Sequence, residues 1–298
     1  MHHRPASSRG LLSVTVAGIA WGTGGPTGAL LFEYAGLGST AVSFWRLTAA
    51  ALWLALARLT LHLTHPIPPP TRTARHREPA RLVFASSPWR YILSGLGLAI
   101  CQLGYFAAIP RVGVAVATVI ALGAGPFFIA LGARERITAS LLAAVAGLTL
   151  LVSSAGSAAT SVLGIAFALL SAAGYALTTL LNRNQPDPIT GAYLGFTTGA
   201  AFLLPLAIID GPLPTPAGWP LIAYFGLVPT ALAYTLFYIS LRTLRASTAA
   251  VIALIEPAVA TALGVLLFHE HLTPLTLTGA TILLAAVVTD VRRHPAPS

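Results

Sequence analysis

The chain is 298 residues long, 56% hydrophobic and only 8% charged, with a mean hydropathy of +0.80. A soluble domain carries about 25% charged residues, so this composition excludes a water-soluble globule and points to an all-α, polytopic membrane protein. The formal net charge of +9 comes entirely from arginine, with no lysine; it is read as loop charge that sets membrane topology, not as a nucleic-acid footprint.

Taken in order, ten apolar segments follow one another, at about 11–31, 40–58, 89–109, 112–132, 138–155, 162–182, 191–209, 218–240, 247–268 and 273–291. Each approaches the roughly 20 residues that a helix needs to cross hydrocarbon. The first follows a basic start, MHHRPASSRG, and is interrupted by WGTGGP, with no small-residue cleavage site, so it is read as a retained span. The third and fourth are separated only by Pro110 and Arg111, the least sharply marked junction. The one long connection, 59–88, carries a Pro run and an Arg cluster and is expected to be an extended, water-exposed loop. It is read as a tolerated insertion, with a regulatory docking role as the alternative. With the N-terminus in the cytoplasm, fifteen arginines fall on that side and only Arg111 on the other, while Arg46 lies within the second span. Both termini are therefore expected to be cytoplasmic. The single cysteine, Cys101, excludes an intrachain disulfide and a cysteine-built zinc site.

The chain repeats itself. Gly10 and Trp21 recur as Gly164 and Tyr175, 154 residues later. VIAL at 119–122 recurs at 251–254, and Pro126 recurs as Pro257, 131 residues later. The longer connection in the first half accounts for the fall in offset. Two halves result, 1–157 and 158–298, each with five spans. An odd number makes the second half enter the membrane from the opposite side, an inverted-topology repeat around a central cavity.

Two charges lie inside spans. Arg46 sits about 9 Å deep in the second and Glu256 roughly 13 Å deep in the ninth, entering from opposite sides, at about 1.5 Å per residue. In a layer about 30 Å thick this leaves them about 8 Å apart in depth. Their counterparts in the other half are about Ala200 and Gly125, both uncharged. A scaffold need common to both halves would appear twice, so a substrate or coupling role competes with a structural ion pair or a snorkelling Arg46. Pro26, Pro126 and Pro257 mark kinks or gates, since proline frees a backbone carbonyl that only protein or cavity water can satisfy in lipid. Trp21, Tyr105, Tyr175, Tyr234 and Tyr238, with Phe44 and Trp45, are candidates for an aromatic cavity wall. Gly18, Gly22 and Gly25 in the first span, and Gly191, Gly195 and Gly199 in the seventh, have the spacing of close helix contact.

The segments AGIAWGT (17–23), FWRLTAAAL (44–52), QLGYFAAIPRVGVAVATVI (102–120) and LIEPAVATALGVLLFHEHLTPLTLTGATILL (254–284), in this order, resemble the drug/metabolite transporter superfamily in its ten-span EamA-type group. The resemblance implies a ten-helix basket around a central cavity. It also implies a multi-pass protein of the plasma (inner) membrane and export of amino acids or related amphipathic metabolites. Glu270 corresponds to the family's acidic span end, and Glu135 is its first-half match. Glu135 follows Pro126 by nine residues and Glu270 follows Pro257 by thirteen, so the two ends need not be equivalent.

No enzyme motif is present: HEH at 269–271 lacks the spacing of HExxH, and neither G-x-S-x-G nor a P-loop occurs. The reading is a carrier, not an enzyme, with no metal or cofactor and no nucleic acid; its partners are a small-molecule substrate and the lipid bilayer. Proton coupling and oligomeric state are left open. The alternatives are a membrane-embedded sensor with 59–88 as its output, and a lipid-acting enzyme.

Overall fold

A computed structural model describes residues 8–64, 88–152, 161–183, 185–211, 213–268 and 273–293. Every regular element among them is helical. They are α1 (Ser8–Gly22), α2 (Gly24–Ala35), α3 (Ser39–Thr64), α4 (Pro88–Val114), α5 (Val116–Gly132), α6 (Ala139–Val152), α7 (Val162–Asn182), α8 (Pro188–Asp210), α9 (Gly218–Ser240), α10 (Ala246–Ala253), α11 (Ile255–Phe268) and α12 (Pro274–Arg293). Seven helices are long and apolar enough to cross a membrane, α10 and α11 counting as one; α5 and α6 are shorter apolar helices. Each of the ten apolar segments coincides with one helix or with a consecutive pair. The third helix runs on to Thr64, so the start of the 59–88 stretch is helical and not loop; residues 65–87 lie outside the described residues.

Prolines set most of the breaks. A proline donates no hydrogen bond to the carbonyl four residues back and crowds it. Pro26 strips Gly22 in this way, and the helix breaks at Thr23 (φ −77°, ψ −14°). There the Thr23 amide and hydroxyl both donate to the Ala20 carbonyl, at 3.2 and 2.7 Å. Pro257 repeats the pattern: the break falls at Leu254 (φ −64°, ψ 0°), again three residues ahead of the proline. Pro229 instead sits in a π-helical turn, Leu227–Leu232. Here the Thr230 hydroxyl donates to the Phe225 carbonyl at 2.7 Å, the carbonyl that an ordinary residue 229 would have engaged. Pro110 leaves its helix unbroken, so the expected junction moves. The reversal between α4 and α5 comes at Gly113 (φ 79°, ψ 159°), a conformation that a Cβ would forbid.

Helix α1 packs on α9, α10 and α11; α7 packs on α4 and α5; α3 pairs with α8 and α6 with α12; α4 meets α8 as α3 meets α9. Exchanging each of the ten segments for the one five places away maps these pairings onto themselves. Glycines permit the closest approaches. A Cβ on Gly147 would lie 2.9 Å from the Gly279 carbonyl, and one on Gly279 would lie 2.7 Å from the Gly147 carbonyl. Gly97 and Gly174 are related in the same reciprocal way, at 2.9 and 2.5 Å. Two ends of the bundle can be told apart. At one, the Thr215 hydroxyl donates to the Tyr34 carbonyl beside Gly36, at 3.1 Å. At the other, Arg183 pairs with Glu135 at 3.1 Å.

Candidate functional site

A cavity of about 530 Å³ runs from the middle of the bundle toward the Gly36 end. Residues of α1, α2, α3, α4, α5, α7, α9, α10 and α11 line it, and α6, α8 and α12 stand outside it. Near its mouth Phe32 and Val114 are exposed. Toward the Glu135 end it is closed by an aromatic floor. Trp21 meets Tyr234 edge-on at 4.9 Å and Phe237 at 5.1 Å, Tyr175 stacks on Phe237 at 6.1 Å, and Tyr234 meets Tyr238 at 5.9 Å.

Arg46 reaches the cavity from α3. Its guanidinium lies 4.8 Å from the centroid of the Phe225 ring, in cation–π range, and interacts with the Tyr234 hydroxyl. Its Nε is buried and has no hydrogen-bond partner. Glu256 stands in the first turn of α11, just past the Leu254 break. The partial positive charge of a helix start favours a carboxylate there. Arg46 and Glu256 act on each other electrostatically. They form no ion pair: among the described residues the ion pairs are Arg58–Asp187 at 3.5 Å and Arg183–Glu135 at 3.1 Å.

The surroundings explain why the carboxylate occurs once. Helix α1 seats on the kink through glycines: a Cβ on Gly18 would lie 2.4 Å from the Ile255 side chain, and one on Gly22 would lie 2.9 Å from the Glu256 carbonyl. At Gly125, the counterpart of Glu256 in α5, a Cβ would lie 2.9 Å from the Tyr175 ring. A ring fills the space where a second carboxylate would go. Gly25, by contrast, has nothing within 4 Å of a Cβ and lines the cavity.

Of the residues singled out in the sequence, Arg46, Glu256, Trp21, Tyr105, Tyr175 and Tyr234 meet in this cavity, with Pro126 and Pro257. Pro26 lies between two lining residues, Gly25 and Gly28. Tyr238 is fully buried beneath the floor and does not line the cavity. Phe44 and Trp45 pack into apolar clusters, Trp45 against Trp219 at 5.1 Å. Glu270 lies outside the described residues. Sequence reading passed over Ser43, Cys101, Gln102, Thr118 and Ser171, which supply neutral polar groups to the wall. The Tyr105 and Thr118 hydroxyls bond across α4 and α5 at 2.8 Å, and the Ser171 hydroxyl donates to the Cys101 carbonyl at 2.7 Å. Gln102 alone carried a signal, as an amide side chain within an otherwise apolar run.

A bundle of membrane-crossing helices that encloses an aromatic cavity with one cation and one carboxylate defines a polytopic membrane transport protein. Residues 162–289 match the model of the EamA-like transporter family. The chain is 31% identical over 210 residues to the uncharacterized transporter YwfM of Bacillus subtilis (strain 168), covering 66% of this chain and 71% of that one. It is 30% identical over 204 residues to an uncharacterized transporter of Archaeoglobus fulgidus, covering 65% and 74%. A protein of known crystal structure superposes with a TM-score of 0.74 at 19% identity, over 96% of this chain and 98% of that chain, a likeness of fold. The chain belongs to the EamA-like transporter family, in the drug/metabolite transporter superfamily.

Proposed function

We propose that the protein exports amino acids or related amphipathic metabolites by alternating access between two inverted five-span halves, 1–157 and 158–298. The observation that carries this reading is that Arg46 and Glu256 share one cavity without pairing. An unpaired cation and carboxylate in an aromatic pocket suit a ligand that is itself zwitterionic and partly apolar. Arg46 holds the substrate carboxylate, its side chain braced by Phe225. Glu256 receives the amino group, and changes partner or protonation during the cycle. Trp21, Tyr105, Tyr175 and Tyr234 accept the apolar part.

The arginine bias supports cytoplasmic termini in a plasma (inner) membrane. The Gly36 end then faces outward and the Glu135 end faces the cytoplasm, which makes this the outward-facing state. The test is a counterflow screen of amino-acid-like compounds in proteoliposomes, followed by Glu256→Gln. Exchange of none of them removes the substrate class. Wild-type rates for Glu256→Gln at every pH remove the proton-linked role.

A further inference from the structure

The chain leaves α5 in a helix-ending turn of the Schellman type: the Glu135 amide donates to the Ala130 carbonyl at 2.7 Å and the Arg134 amide to the Leu131 carbonyl at 3.1 Å. The left-handed position, usually glycine, is Arg134 at φ 55°. This turn aims the Glu135 carboxylate at the start of α10. There it accepts from the amides of Ala246 (3.2 Å) and Ser247 (2.9 Å) and from the Ser247 hydroxyl (2.5 Å). It also pairs with Arg183, just past α7, at 3.1 Å. The first amides of a helix lack partners within it. Arg245, at the cap position of α10, supplies no side-chain cap. One carboxylate, 8% exposed, thus joins α5, α7 and the helix that leads to Glu256.

All of these bonds lie on the closed side of the cavity. Between them and the aromatic floor sits a buried polar group. Asn182 donates to the Ser94 hydroxyl at 2.8 Å, and the Thr178 hydroxyl donates to the Ser94 carbonyl at 2.5 Å. The Asn182 Oδ1 and Gln185 Oε1 are buried there with no hydrogen-bond partner. Such atoms are costly in a sealed wall and are satisfied when water reaches them.

We propose that Glu135 is a latch holding this end shut, and that its release from α10 opens the cavity toward the Glu135 end. The proposal rests on the alternating-access reading but needs no knowledge of the substrate. Cys101, the one cysteine, lines the cavity and reports on it. The full-length protein is reconstituted, and a membrane-impermeant maleimide is applied to either face, with Cys101→Ser as the unlabelled control. The wild type is expected to label from the Gly36 face. In Glu135→Gln the ratio of labelling from the Glu135 face to labelling from the Gly36 face rises about ten-fold, the scale of one charge-assisted hydrogen bond. Ser247→Ala and Arg183→Gln shift the ratio the same way by less, and they carry the test if Glu135→Gln fails to fold. Wild-type labelling from the Glu135 face overturns the proposal. So do folded variants that lose thermal stability at an unchanged ratio, because Glu135 is then only a cap. A failed substrate screen leaves this result standing, and an unchanged ratio leaves the Arg46–Glu256 site standing.

Discussion

Arg46 and Glu256 enter one cavity from α3 and from the start of α11, act on each other's charge, and are not bonded to each other. Each keeps hydrogen-bonding capacity for a ligand while the other moderates the cost of holding a charge at that depth. Arg46→Gln is expected to weaken binding of a carboxylate-bearing substrate by roughly 10- to 100-fold, the range for one charged hydrogen bond. Arg46→Lys recovers part of that loss, because the ammonium keeps the charge but not the planar stacking on Phe225. Competition in counterflow assays measures both.

The glycines of the first segment separate packing from cavity. Gly22→Ala drives a methyl to 2.6 Å from Val259 and is expected to cost about 1–3 kcal/mol. Gly25→Ala meets nothing within 4 Å and should leave the midpoint of thermal unfolding in detergent unchanged. A fall in both variants would contradict the contact geometry described.

Thr230 stands in for the hydrogen bond that Pro229 removes. Thr230→Val keeps the shape but leaves the buried Phe225 carbonyl unpartnered, at an expected cost of about 1–3 kcal/mol. Thr230→Ser should restore most of it. Equal stability of the valine and serine variants would show that the hydroxyl has no such role.

Gly113 turns α4 back into α5 with φ 79° and ψ 159°. Gly113→Ala should destabilise the protein by about 1–3 kcal/mol, the usual cost of a side chain held in so sparse a region. Pro110→Ala, where the helix is unbroken, should be tolerated. Thermal unfolding of the two variants side by side checks the assignment of the turn.

Composition and apolar length made the ten helical segments legible, because a helix that crosses lipid must satisfy its backbone within about 20 residues. Pro26 and Pro257 announced their breaks for the same reason. The turn at Gly113 was displaced from the expected Pro110–Arg111, since a proline within a helix bends it more readily than it reverses it. The cavity was legible where its residues were conspicuous, as Arg46, Glu256 and four aromatic rings. Tyr238 looked the same in sequence as Tyr234 but lies one turn further along α9, below the floor. The partners of Glu135 were illegible because they come from residues 183, 246 and 247, which no periodicity links to it.

The reciprocal contact of Gly147 and Gly279 puts main chain against main chain, with no side chain between α6 and α12 to yield. Neither helix touches the cavity. The pair therefore behaves as a fulcrum at the rim: the flanking helices can tilt about it, but sliding along it would tear the contact. A bulky residue at Gly147 would pry the halves apart at the pivot, and its effect would be felt as lost leverage at a binding site it never meets.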